Sequence, residues 1–214
     1  MKKENKRKIK TKKTTVYSLI KAVAWIGFHT ICPMKVINRE GLELPDAPYV
    51  IIANHSSIFD SALLGVLCPY ELHGLGKKEL IKDRFTKWFF EKKLHIIPVA
   101  RHEFDVKAIR TCLTKLKEKN VLCIFPEGTR KLENLMERVE KGAAMIAMRQ
   151  KVDMVPVYLE GKYRPFRPVR AIVGEPIRAA EYPEGAYSDE NADKLCEKIR
   201  GVFYSLRDRM KSEK

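Results

Sequence analysis

The sequence predicts an α/β fold: a single domain with a largely parallel β-sheet flanked by helices, plus an N-terminal membrane-interfacial helical segment. Three observations lead there. Short apolar runs alternate with stretches of helical periodicity along most of the chain, the order that folds as a parallel sheet between helices. With 214 residues and 45% hydrophobic side chains, the chain suits one domain with a sizeable core. Polar residues follow directly on three of the apolar runs, and ligands gather at the carboxyl ends of parallel strands.

The elements follow in order. The opening "MKKENKRKIKTKK" holds eight basic side chains and one acid. Val16, Leu19, Ile20, Val23, Ile26, Thr30 and Ile31 then recur at helical spacing, with Trp25 and Phe28 widening the face. His29, Thr30 and Pro33 interrupt this run, which falls short of the roughly 20 apolar residues that span a bilayer. No small-x-small cleavage pattern follows, so a signal peptide does not fit. A basic head beside an apolar, Trp-containing helix fits a segment lying in the membrane interface; a helix packed on the domain's own core fits as well. The chain therefore divides into residues 1–36, a basic tail and membrane-associating helix, and residues 37–214, one domain.

"INREGLELPDAP" reads as a loop, and "YVIIA" at 49–53 as a buried strand. "SALLGVLC" is a short helix, "LHGLGK" a strand, "KKELIKDRFTKWFFEKK" helical, and "LHIIPVA" a strand. In "DVKAIRTCLTKLKEKN", Val106, Ile109, Cys112, Leu113 and Leu116 form one stripe of an amphipathic helix. "VLCIF" is the next strand, "RVEKGAAMIAMRQ" a helix, and "MVPVYL" and "VRAIVGEPI" two further strands. "NADKLCEKIRGVFYSLRDRM" closes the chain as a long helix.

The formal charge is +15, and the sequence beyond the basic tail still carries +8. Such an excess implies an anionic partner: a membrane surface, nucleic acid or a phosphorylated substrate. The five cysteines are scattered and form no C-x-x-C pair, which argues for free thiols in a reducing compartment and against a structural zinc site.

Two short stretches carry the chemistry. "NHSSIFD", residues 54–60, leaves the strand "YVIIA" and at once places a histidine near a carboxylate. Ser57 and Asp60 have the spacing of a capping box. His55 and Asp60 also suit a catalytic pair, in which the carboxylate holds one imidazole nitrogen and the other removes a proton from a substrate. One aspartate can serve both. "FPEGTR", residues 125–130, has Pro126 and Gly128 where a type I turn favours them. The same turn can aim Glu127, Thr129 and Arg130 at a ligand, with Glu127 accepting from a hydroxyl. Arg130 offers a planar fork suited to phosphate, and Lys77 and Arg101 would complete an anion site. His29, His73, His95 and His102 read as packing or surface residues.

Taken together, these blocks resemble the glycerophospholipid acyltransferase family. "NHSSIFD" stands for its N-H-x-x-x-x-D block and "FPEGTR" for its E-G-T-R block, supported by "KKEL" at 77–80, the strand before Arg101 and "VPVYLEG" at 155–161. The sequence departs from the family at Ala100, where Asp or Asn is usual, and at Leu94–His95, where a glycine is common. The resemblance implies an O-acyltransferase that moves an acyl group from an acyl carrier protein or coenzyme A thioester to the free hydroxyl of 1-acylglycerol-3-phosphate. It implies His55 as general base, Asp60 as its orienting partner, and Lys77, Arg101 and Arg130 around the phosphate. Glu127, Gly128 and Thr129 would shape the glycerol site. It implies no metal and no cofactor beyond the thioester co-substrate, and a place on the cytoplasmic face of the cell membrane, against anionic lipid.

Other readings differ in what they need. Acylation of another lysophospholipid or a lyso-aminolipid uses the same blocks. A non-catalytic basic protein binding membrane or nucleic acid explains the charge but not the His-x4-Asp block, and no nucleic-acid motif is present. A serine hydrolase using Ser56 or Ser57 lacks the G-x-S-x-G elbow.

Overall fold

The most apolar runs of the sequence form the centre of a seven-stranded sheet. The computed structural model describes residues 15–44, 48–100, 105–130, 133–160, 162–178, 181–182 and 187–213. The strands are β1 (Met34–Ile37), β2 (Val50–Ala53), β3 (Leu72–Lys77), β4 (Ile96–Val99), β5 (Val121–Ile124), β6 (Met154–Glu160) and β7 (Val169–Val173). Their spatial order is β1-β7-β6-β2-β5-β3-β4. β2 to β6 all run parallel, whereas β7 is antiparallel to β6 and carries β1 parallel to itself.

A sheet of parallel strands must be covered on both faces, and this one is. The helices are α1 (Thr15–Thr30), α2 (Phe59–Leu67), α3 (Arg84–Lys87), α4 (Val106–Lys117), α5 (Lys141–Gln150) and α6 (Asp189–Ser212). All four residues of β2 are buried, and they alternate between two cores. Val50 and Ile52 pack with Cys112 and Leu116 of α4, Ile146 of α5, and Ile199 and Phe203 of α6. Ile51 and Ala53 pack with Phe28 of α1 and Leu63, Leu64 and Leu67 of α2. Full burial of each such aliphatic side chain contributes about 1.5–3 kcal/mol. Asp105 caps α4 by accepting from the Ala108 amide at 2.9 Å, and Ser188 caps α6 through the Asn191 amide at 3.2 Å.

Two regions differ from the sequence expectation. β1 lies at the end of the expected amino-terminal segment and pairs along its length with β7, so a boundary at residue 36 runs through a strand. The stretch 77–93 is not one helix. It is a 3-10 turn (Lys78–Leu80), then α3, started by an Asp83–Thr86 capping box, then a π-helical turn (Trp88–Lys93). His95 has φ 54°, the left-handed conformation that glycine adopts most freely. It packs against buried His73 with ring centroids 4.7 Å apart. His102 lies outside the described residues.

α1 presents two different stripes. One stripe faces the domain: the Tyr17 hydroxyl accepts from the Leu72 amide at 3.1 Å, Lys21 donates to the Cys68 carbonyl, and Ala24 and Phe28 join the core beside α2. The other stripe stays apolar and uncovered, with Leu19, Val23 and Ile26 each more than half exposed. Among the described residues no helix is long and apolar enough to cross a membrane. The basic tail lies outside them.

Candidate active site

Parallel strands bring their following loops to one edge of the sheet, and here that edge carries His55, Asp60, Lys77 and the turn of Glu127, Gly128, Thr129 and Arg130. Ile52 is in register with Ile124, so the loop after β2 and the turn after β5 leave side by side. Gly74 is in register with Cys123, and β3 runs on to Lys77 toward the same edge. β6 ends on the same edge, beside β2.

Asn54 fixes the way out of β2. Its side-chain carbonyl accepts from the Leu159 amide at 2.8 Å and its NH2 donates to the Leu159 carbonyl at 2.9 Å, a two-point clasp to β6. The chain then turns, and α2 begins with Asp60 in its first turn. His55 Nδ1 lies 3.0 Å from Asp60 Oδ2. The same oxygen accepts from the Ser56 and Ser57 amides, both at 2.7 Å. Asp60 thus meets both the His55 ring and the turn amides, although the reciprocal half of the capping box is absent: Ser57 Oγ accepts from the Phe59 amide at 3.2 Å. Asp60 Oδ1 accepts from the Tyr163 hydroxyl at 2.6 Å.

Asp60 has no exposed surface, and burial alone would raise its proton affinity. The hydrogen bonds from His55, Tyr163, Ser57 and Ser56 outweigh that penalty and hold the carboxyl below the usual carboxylate range. An ionised carboxylate only accepts, so in the neutral tautomer that suits this contact Nδ1 carries the proton and Nε2 the lone pair. The imidazole lies flat on Phe125, with centroids 3.9 Å apart and planes 17° from parallel. Packing and hydrogen bonding therefore fix the ring.

The turn after β5 closes with a Gly128 amide to Phe125 carbonyl bond of 3.0 Å, and Gly128 takes φ 65°. Glu127, expected to meet a substrate hydroxyl, instead points inward at 5% exposure. One carboxylate oxygen accepts from the His55 amide at 2.7 Å and the other from the Met136 amide at 2.9 Å. Burial raises its proton affinity, and those two amides oppose the rise. Gly128 and Arg130 are exposed beside it, Thr129 is half-buried, and Lys77 is exposed at the end of β3. Arg101 lies outside the described residues. A shallow depression of about 600 Å³ opens beside the dyad, lined in part by Asn54, Ser57, Phe59, Leu159 and Tyr163. Among the described residues no cluster of three His, Cys, Asp or Glu could hold a metal ion.

Sequence reasoning did not single out Tyr163 or Phe125. Tyr163 stands 103 residues from Asp60 and outside every recognised block, so only the fold reveals the contact. Phe125 opens "FPEGTR", but nothing in its spacing points at His55.

A histidine held by a buried carboxylate at an open sheet edge is an arrangement that can take a proton from a bound group. Residues 34–160, more than half of the chain, match the family model described as Acyltransferase, and the chain belongs to that family. It is 36% identical to 1-acyl-sn-glycerol-3-phosphate acyltransferase of Bacillus subtilis over 156 residues, 70% of this chain and 76% of that protein. It is 30% identical to a 1-acyl-sn-glycerol-3-phosphate acyltransferase of Chlamydomonas reinhardtii over 181 residues, 80% of this chain but only 52% of that longer protein. In fold it matches the crystal structure of the 1-acyl-sn-glycerophosphate acyltransferase PlsC from Thermotoga maritima. The TM-score is 0.70 at 24% identity, over 91% of this chain and 79% of that one.

Proposed function

We propose that the protein moves a fatty acyl group from an acyl thioester, carried by acyl carrier protein or coenzyme A, to the free hydroxyl of 1-acylglycerol-3-phosphate, giving phosphatidate for phospholipid synthesis. The observation that carries the reading is the 3.0 Å His55–Asp60 contact at the sheet edge, in a chain of the acyltransferase family. His55 Nε2 takes the proton of the acceptor hydroxyl as that oxygen attacks the thioester carbonyl carbon. The new C–O bond forms, the C–S bond breaks, and the imidazolium returns the proton to the departing thiolate. Asp60 stabilises the imidazolium between those steps. The acceptor is its own nucleophile, so no acyl-enzyme is needed. Glu127 holds the loop of His55 to the segment at Met136, a positioning role.

Lys77 and Arg130, joined by Arg101, supply cations for the acceptor phosphate, and Gly128 and Thr129 border the glycerol site. Arg130→Ala is expected to raise the apparent KM for lysophosphatidate about tenfold with little change in kcat. Initial rates across acceptor concentration check this, and an unchanged KM moves the phosphate elsewhere. Mass spectrometry of the lipid product tests the acceptor. Phosphatidate should form with a higher kcat/KM than the acylated product of a neutral lysophospholipid or a lyso-aminolipid; the opposite order would favour those acceptors.

The outer stripe of α1 supports a membrane partner, which we place on the cytoplasmic face of the cell membrane as part of the same proposal. Leu19, Val23, Trp25 and Ile26 are exposed, and exposed Phe59 and Phe166 extend apolar surface toward the dyad. Lys162, Arg164 and Arg167 are also exposed in the loop that carries Phe166. Apolar surface beside cations fits an anionic lipid surface. The double substitution Leu19→Asp and Val23→Asp is expected to weaken sedimentation with anionic vesicles by at least about tenfold; undiminished binding would move the contact elsewhere.

A further inference from the structure

Resting on that reading, we infer that Tyr163 is a positioning residue for the reaction: its hydroxyl locks the Asp60 carboxylate in the plane that aims His55. The terminal torsion of an aspartate is soft and nearly two-fold, so a carboxylate held at one oxygen can still swing. Here Oδ2 already serves the His55 ring and two backbone amides, and Tyr163 supplies the 2.6 Å bond to Oδ1. Asp60 has no exposed surface, so water does not easily take over that bond.

The tyrosine is itself held. Its ring lies 6.1 Å from that of Phe28 on α1 and 5.5 Å from that of Phe59 on α2. The loop that carries it is tied to the end of α1 by the Phe166 amide on the Ile31 carbonyl at 2.7 Å and the Val169 amide on the Pro33 carbonyl at 2.8 Å. Burial and the Asp60 carboxylate both raise the proton affinity of the phenol. Tyr163 therefore keeps its proton and donates it to the hydrogen bond; it is not a second base. It acts on the reaction through Asp60.

The test is Tyr163→Phe, which keeps the ring packing and removes only the hydroxyl, with Tyr163→Leu alongside to remove the ring as well. Each is assayed well below its melting temperature. The expected result for Tyr163→Phe is a fall in kcat of about tenfold, with both substrate KM values within about twofold of the parent and a modestly lower melting temperature, because buried Asp60 Oδ1 loses its donor. Tyr163→Leu should lose kcat to a similar extent and also melt lower. A parental kcat in Tyr163→Phe, or a loss carried by KM, overturns the inference. An inactive parent protein would instead sink the acyltransferase reading, so the two failures are distinct.

Discussion

His55→Ala is expected to lower acyl transfer about 10²- to 10⁴-fold, the range a positioned general base supplies. That is about 3–5 kcal/mol of transition-state stabilisation. The fold should survive, for reasons visible in the site. The tie from position 55 to Glu127 uses the backbone amide, which alanine retains. Asp60 keeps the Ser56 and Ser57 amides and the Tyr163 hydroxyl, so its carboxylate is not stranded. The lost ring leaves one face of Phe125 uncovered, a small cost in a half-open site. Single-turnover rates and melting curves on the same preparation check this together. Near-parental turnover would remove His55 as the base, and a melting temperature far below the parent would make it a structural residue.

Asp60→Asn should cost about 10²-fold in kcat, less than loss of His55. The reason is the crowding at Oδ2. Two amides at 2.7 Å require an acceptor there, so the asparagine oxygen takes that place and its NH2 turns toward Tyr163. The Nδ1 proton then keeps its acceptor, and the imidazole keeps its tautomer. What disappears is the negative charge beside the imidazolium, and charge-assisted hydrogen bonds are roughly twice as strong as neutral ones. Asp60→Ala should be worse in both activity and stability, because it strands two buried amides and the Tyr163 hydroxyl. Steady-state kcat for the pair checks the ordering. Equal activity of Asp60→Asn and the parent would mean that the carboxylate only caps α2.

Much of this was legible because the physics was local. A parallel sheet needs apolar runs separated by helices, and β2, β5 and β6 are such runs in plain view. The polar residues after them had to emerge on one edge once the strands ran parallel. The turn at "FPEGTR" followed from Pro126 and Gly128 alone. What escaped was non-local. β1 is four residues long with exposed Lys35 in it, too short to show alternation, and only its pairing with β7 makes it a strand. Glu127 looked like a ligand contact because sequence shows which residues share a turn, not which way a carboxylate points. Burial and two amide partners decide that. Tyr163 could be found only by folding the chain.

The measurement that tests the central claim most directly is the time course of thiol release from an acyl thioester, with and without lysophosphatidate. If His55 activates the acceptor hydroxyl, thiol appears only when acceptor is present, without an initial burst, and in step with phosphatidate. A burst equal to the enzyme concentration, or thiol released at the same rate without acceptor, would show an acyl-enzyme or a thioesterase and contradict the account.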